Sequence, residues 1–235
     1  MTAAIFVFAL VYAVVISPFI GGVRGLAPNL CWLALPLIFL WLDRKPAWLG
    51  LRLPATPRKT AAIALSSAAL GCGTGLILLL VAGWYPGLLQ FIYALPGLHR
   101  GVCGDHIVLF IFLIPVAHFA HELFYRGFLQ TKFSALLKSV PAAIAVAAVL
   151  FAWTHVFVFS SPEIQSLEAQ AVPASAMQGM SVEAVLKTVT LFTLVESVGA
   201  GILLQLFGTL IAPVLFRTAN LTVIVIVLYS RAGLV

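Results

Sequence analysis

From Thr60 to Trp84 the chain runs without one charged side chain. Predominantly apolar stretches recur at Ala3–Ile20, Pro28–Leu42, His106 to about Leu137, Ser139 to about Phe159, Val182–Phe207 and Thr209–Tyr229. A helix of about 20 apolar residues crosses the hydrocarbon core of a bilayer with its backbone polar groups satisfied internally. The pattern predicts an all-α fold: a polytopic transmembrane helical bundle of about seven spans, with residues 1–235 as a single transmembrane domain. Composition removes the alternatives. The chain is 63% hydrophobic and 9% charged, with a mean hydropathy of +1.14, whereas a soluble domain carries roughly 25% charged residues. A soluble enzyme, a disordered chain and a disulfide-stapled secreted domain are all excluded.

The net charge of +6 does not point to nucleic acid, because the cations are placed as a topology signal. Arg44, Lys45, Arg52, Arg58 and Lys59 fall in one loop, and Arg126, Lys132 and Lys138 mark the end of the fourth helix on the same side. The segment from Ser160 to Ser181 contains Glu163 and Glu168 and no cation. By the bias of Lys and Arg towards the cytoplasm, the N-terminus is expected inside, in an integral protein of the cell membrane. The first apolar run lacks a basic flank and an A-x-A site, so it reads as a retained span. Cys31, Cys72 and Cys103 share no metal or disulfide spacing and read as buried thiols. Gly71-Cys72-Gly73-Thr74-Gly75 resembles a phosphate loop only superficially, since it lies inside an apolar helix. Gly71 and Gly75, one turn apart, form a close-packing face instead.

A charge at the bilayer centre costs at least about 2.5–3.5 kcal/mol, so ionisable groups there are functional candidates by default. They are His118, His121, Glu122, Arg126, His155, Glu196 and Arg217, joined by the polar Asn220. His118, His121, Glu122, Tyr125 and Arg126 recur at helical spacing and are expected on one face. Phe151 and His155 share a face of the fifth helix. Glu122 lies about 17 residues before a turn near Ser139 and His155 about 16 after it, so both should sit roughly 25 Å from that turn at 1.5 Å per residue. Two polar residues encoded separately and reaching one level are what a shared site needs. On the seventh helix Asn220 follows Phe216 by one turn, while Arg217 is rotated away by about 100°. A buried cation needs a partner, and Glu196 on the preceding helix is the simplest one.

These residues resemble a known family. His121-Glu122-Leu-Phe-Tyr-Arg126 is similar to the EExxxR motif of the CAAX protease and bacteriocin-processing (CPBP, or Abi) intramembrane endopeptidases. Phe151-Ala-Trp-Thr-His155 resembles the second motif, FxxxH, and Phe216-Arg-Thr-Ala-Asn220 the third, HxxxN. The resemblance covers residues 106–225. It implies an all-helical fold opening a polar cavity within the membrane, and hydrolysis of a peptide bond in a membrane-anchored protein or peptide, with the lipid bilayer as the other partner. It further implies that the first Glu and the motif-two His activate water, that the motif-three His and Asn stabilise the oxyanion, and that the second Glu and the Arg support the site.

Two positions depart from that pattern. The first Glu is His121 and the motif-three His is Phe216. A single carboxylate, Glu122, must therefore serve both the water and Arg126. His121 is a second candidate base with His155, since imidazole titrates near neutrality. The expected site is Glu122, His155 and His121 positioning the water, with Asn220 as the remaining oxyanion donor and Arg126 as support. No cofactor is expected. His118, His121, Glu122 and His155 offer a ligand set for zinc, but H-x-x-H-E is neither of the usual zinc-protease patterns. Two other classes stay open: a catalytically inactive scaffold of the same fold that binds a membrane segment, and an ion or proton pathway through the buried charges.

Overall fold

The computed structural model describes residues 2–12, 33–38, 41, 51, 54–82, 107–159 and 182–231. The described residues form seven α-helices and one π-helical segment, with no strand. The helices are α1 (Thr2–Val11), α2 (Pro57–Ala82), α3 (Ile107–Glu122), α4 (Thr131–Leu137), α5 (Val140–Phe159), α6 (Val182–Phe207) and α7 (Ile211–Arg231). The π segment, Leu123–Gln130, joins α3 to α4. Residues 86–105 and 160–181, and most of the apolar run Pro28–Leu42, lie outside the described residues.

Helix boundaries follow local chemistry. Thr56 precedes α2 and its Oγ1 accepts from the Lys59 N–H at 3.3 Å, an N-cap. Between α4 and α5, Lys138 turns the chain in the left-handed region (φ 51°). Ser139 then caps α5 through its Oγ, which accepts from the Ala142 N–H at 3.4 Å. Gly208 ends α6 at φ 65°, where a residue without Cβ is favoured. Thr209 Oγ1 then accepts from the Ile211 N–H. Both turns are tight, so α4–α5 and α6–α7 run as antiparallel neighbours and set Glu196 and Arg217 near one level.

Two helices among the described residues are long and apolar enough to cross a membrane, at Pro57–Val81 and Thr190–Phe207. On α2, Leu65, Leu70, Leu76, Ile77 and Leu80 are exposed, a surface suited to lipid and not to water. Its other side packs along α7. A Cβ on Gly71 would overlap the Phe216 carbonyl, and one on Gly75 would lie 2.8 Å from the Asn220 carbonyl oxygen and 2.9 Å from its Oδ1. The glycine pair is thus a close-packing face, and it seats α2 on the third motif. Cys72, between them, is a free thiol that is half-buried, not fully buried as expected; Cys31 and Cys103 lie outside the described residues.

The core sits around the π segment, all eight residues of which are buried. Tyr12 of the chain's first turns packs edge-on to Phe124 (ring centroids 6.2 Å apart), and Phe128, Leu129, Phe133, Ala143 and Phe151 complete the cluster. Gly201 of α6 lies against Gln130, whose Nε2 donates to the Gly201 carbonyl at 3.3 Å.

Candidate active site

The π segment corrects one expectation from sequence. The spacing of His118, His121, Glu122, Tyr125 and Arg126 predicts a single face on an α-helix. The structure distributes them over three neighbours: His121 and Glu122, adjacent on α3, already point about 100° apart, and i→i+5 pairing after Glu122 rotates Tyr125 and Arg126 relative to the α-helical register. His118 and Glu122 face α7: His118 Nδ1 lies 3.2 Å from Thr218 Oγ1, and Glu122 Oε1 accepts from Arg217 Nη1 at 3.0 Å. His121 and Tyr125 face α5: the His121 ring lies 5.6 Å from that of His155, and the Tyr125 hydroxyl shares a 2.7 Å hydrogen bond with Thr154. Arg126 reaches α6, where its Nη2 donates to Ser197 Oγ, while its Nε stays 3.5 Å from Glu122 Oε2.

Two carboxylates and two guanidiniums make up a closed set. Arg217 is shared between Glu122 and Glu196, its Nε lying 3.4 Å from Glu196 Oε2. The other oxygen of Glu196 accepts from Asn220 Nδ2 at 3.3 Å. Glu196 therefore holds Arg217 and Asn220 of the third motif, one with each oxygen. All five side chains are buried. Such a set persists only because each charge has an opposite within reach; removing one partner of a buried pair costs about 3–5 kcal/mol.

The second group is aromatic and imidazole. Phe151 stands at its centre, with the His155 ring 4.0 Å away, Tyr125 at 5.1 Å and His121 at 6.2 Å between centroids. The guanidinium carbon of Arg217 lies 4.4 Å from the same ring centroid and that of Arg126 5.3 Å, both within cation–π range. His155 Nδ1 donates to the Phe151 carbonyl at 2.9 Å. A carbonyl only accepts, so the proton is fixed on Nδ1 and Nε2 keeps its lone pair.

The expected residues thus lie in one buried neighbourhood with a different internal pairing. His155 adjoins His121, one residue before Glu122, and the Glu122 carboxylate is turned to Arg217 and Arg126. Phe151 and Arg217 stand where the two groups meet. Arg217 pairs with Glu196 as expected, and its contact with Glu122 was not read from the sequence. Neither were the hydroxyls of Thr154, Ser197 and Thr218. Each is a small polar residue next in sequence to an ionisable one inside an apolar helix, which is the signal that marks them. Among the described residues no three of His, Cys, Asp and Glu gather as a metal-ligand group.

Comparison with known proteins locates this arrangement. Residues 104–227, more than half of the chain and including all three motifs, match the family model described as Rce1-like, type II CAAX prenyl endopeptidase. No curated protein and no solved structure gave a match.

Proposed function

We propose, from the premise that the chain belongs to the type II CAAX prenyl endopeptidase Rce1-like family, that it is an active intramembrane endopeptidase. The family supplies an integral membrane fold of the CAAX-protease type. The reading adds that this member hydrolyses a peptide bond close to the C-terminus of a prenylated, membrane-anchored protein from a site at the cell membrane, with its N-terminus cytoplasmic.

The observation that carries the reading is the tautomer of His155. Its Nδ1–H is spent on the Phe151 carbonyl, so Nε2 is a base presented beside His121 on the neighbouring helix. Hydrolysis needs one such base within hydrogen-bond reach of the water. In this reading His155 takes the proton, and His121 and Glu122 orient the water. Arg126 holds the Glu122 carboxylate in place, and Asn220 donates to the oxyanion with the Nδ2 hydrogen that Glu196 does not use. No step needs a metal as written.

The test uses the purified full chain in lipid nanodiscs and an internally quenched peptide bearing a farnesylated cysteine three residues from its C-terminus. Wild type cleaves it, and His155→Ala and Glu122→Gln lose cleavage while keeping their fold. A Glu122→Gln protein working at the wild-type rate removes Glu122 from the mechanism.

One observation favours a second reading. Glu122 is clasped by two guanidiniums, which occupy both of its oxygens, and Phe216 cannot donate a hydrogen bond. A scaffold of the same fold would bind the farnesylated peptide and leave it uncut.

A further inference from the structure

The third motif has lost an imidazole at Phe216, and the structure shows what that side chain does instead. Phe216 packs with Leu203 and Ala212 in an apolar cluster, its ring against Gly199 of α6. Those neighbours are apolar. The next residue meets polar ones. Arg217 places its guanidinium against Glu122 and against the Phe151 ring that also carries His155.

We infer that Arg217 stabilises the oxyanion of the hydrolysis proposed above, in place of the imidazole absent at Phe216, with Glu196 as its positioning residue. The inference rests on that hydrolytic reading and adds a residue to it. Three features carry it. Arg217 Nη1 donates to Glu122, Nε lies 3.4 Å from Glu196 without a hydrogen bond, and Nη2 makes none to the described residues, so the guanidinium keeps donors beyond its two acids. Glu196 grips Arg217 and Asn220 with separate oxygens, so one α6 carboxylate sets the two candidate donors relative to each other. The guanidinium is also anchored over Phe151, which fixes its plane. A preorganised donor in a low-dielectric site acts on developing charge without reorganising, and guanidinium is well matched to an oxyanion.

The step balances within the site. The water oxygen bonds to the scissile carbonyl carbon while the C=O π pair moves onto oxygen, and the water proton passes to His155 Nε2. Arg217 Nη2–H and Asn220 Nδ2–H meet the resulting O⁻. On collapse the C=O re-forms, the C–N bond breaks and the imidazolium proton goes to the leaving amine.

The experiment compares wild type, Arg217→Gln, Glu196→Gln and the double variant Phe216→His/Arg217→Gln, all as full chains in nanodiscs. Two probes are used: the farnesylated peptide, and the same peptide with a phosphinate replacing the scissile amide, a stable mimic of the tetrahedral oxyanion. Arg217→Gln is expected to lower kcat about 10²–10³-fold with KM changed by no more than about threefold, and to weaken phosphinate binding in parallel. The histidine added at 216 restores a measurable part of both. Glu196→Gln lowers kcat in the same direction. A folded Arg217→Gln protein with wild-type kcat and phosphinate affinity overturns the inference. So does a loss of kcat that leaves phosphinate affinity intact and that histidine at 216 does not repair, because a structural role would look like that. If Arg217→Gln does not fold, Glu196→Gln/Arg217→Gln removes the pair without net charge and is read the same way. A wild type that cleaves nothing defeats the hydrolytic reading. Phosphinate binding then decides Arg217 alone: dependence on Arg217 supports its anion-binding role, and independence or absence of binding overturns it.

Discussion

The helix that enters the site as α3 and leaves as α4 feeds two polar regions built on opposite terms. Between α3, α6 and α7, the set of Glu122, Arg126, Glu196, Arg217 and Asn220 is charged, buried and mutually paired. Between α3, the π segment and α5, the set of His121, Tyr125, Phe151, Thr154 and His155 holds no carboxylate or guanidinium and packs ring against ring. The difference is dictated by solvation. Full charges in hydrocarbon must be neutralised at once, which ties them to one another and fixes their positions. A neutral imidazole is anchored by one bond to its own helix and keeps its second nitrogen. In the proposed hydrolysis the first region positions groups and meets the oxyanion, and the second supplies the base.

Mutations that break the regions separately should therefore fail differently. The largest effect is expected for Glu196→Ala, which strands Arg217 and Asn220: about 3–5 kcal/mol of lost stability, measured as unfolding in mixed detergent micelles. His155→Ala leaves the fold and its unfolding midpoint close to wild type and lowers kcat on the farnesylated peptide by about 10²–10⁴. Gly75→Ala forces a methyl against the Asn220 backbone and side chain. It should cost about 1–3 kcal/mol through overpacking and reduce cleavage along with stability, since Asn220 moves with α7. Thr154→Val removes the Tyr125 hydroxyl's 2.7 Å partner; a loss of about 1 kcal/mol is expected, with kcat little changed. If Glu196→Ala proved as stable as wild type, or His155→Ala melted early, the division between the two regions would be wrong.

Much of the fold was legible because a bilayer permits so little else. α5 begins within one residue of the Ser139 signal, the ends of α6 agree with the apolar run, and α7 starts two residues later than expected. Membrane-length helices need apolar residues, and their turns need caps, so both leave marks in the sequence. The packing role of Gly71 and Gly75 was legible too, although what they pack against was not. The π segment left no mark, since its polar residues Arg126 and Gln130 stand four apart, as an α-helix would space them. That hidden change of register is part of why the five residues around Glu122 do not share one face. Depth was estimated correctly enough to bring His155 to the right turn, but rotation decides that it meets His121 before Glu122. The Glu122–Arg217 contact was illegible for another reason: it joins helices far apart in sequence, and only the packing of α7 on α3 brings them together.

The cross-linked charges also bear on how the molecule is made. Translation delivers Glu122 first, Glu196 next and Arg217 after both. A guanidinium threaded into lipid ahead of its acids would be unstable there, whereas in this order two waiting carboxylates receive it. Helix α7 then acts as a latch: a nascent bundle stopped before it would hold one acid too many, and such an unfinished molecule should be the form that cellular quality control recognises and removes.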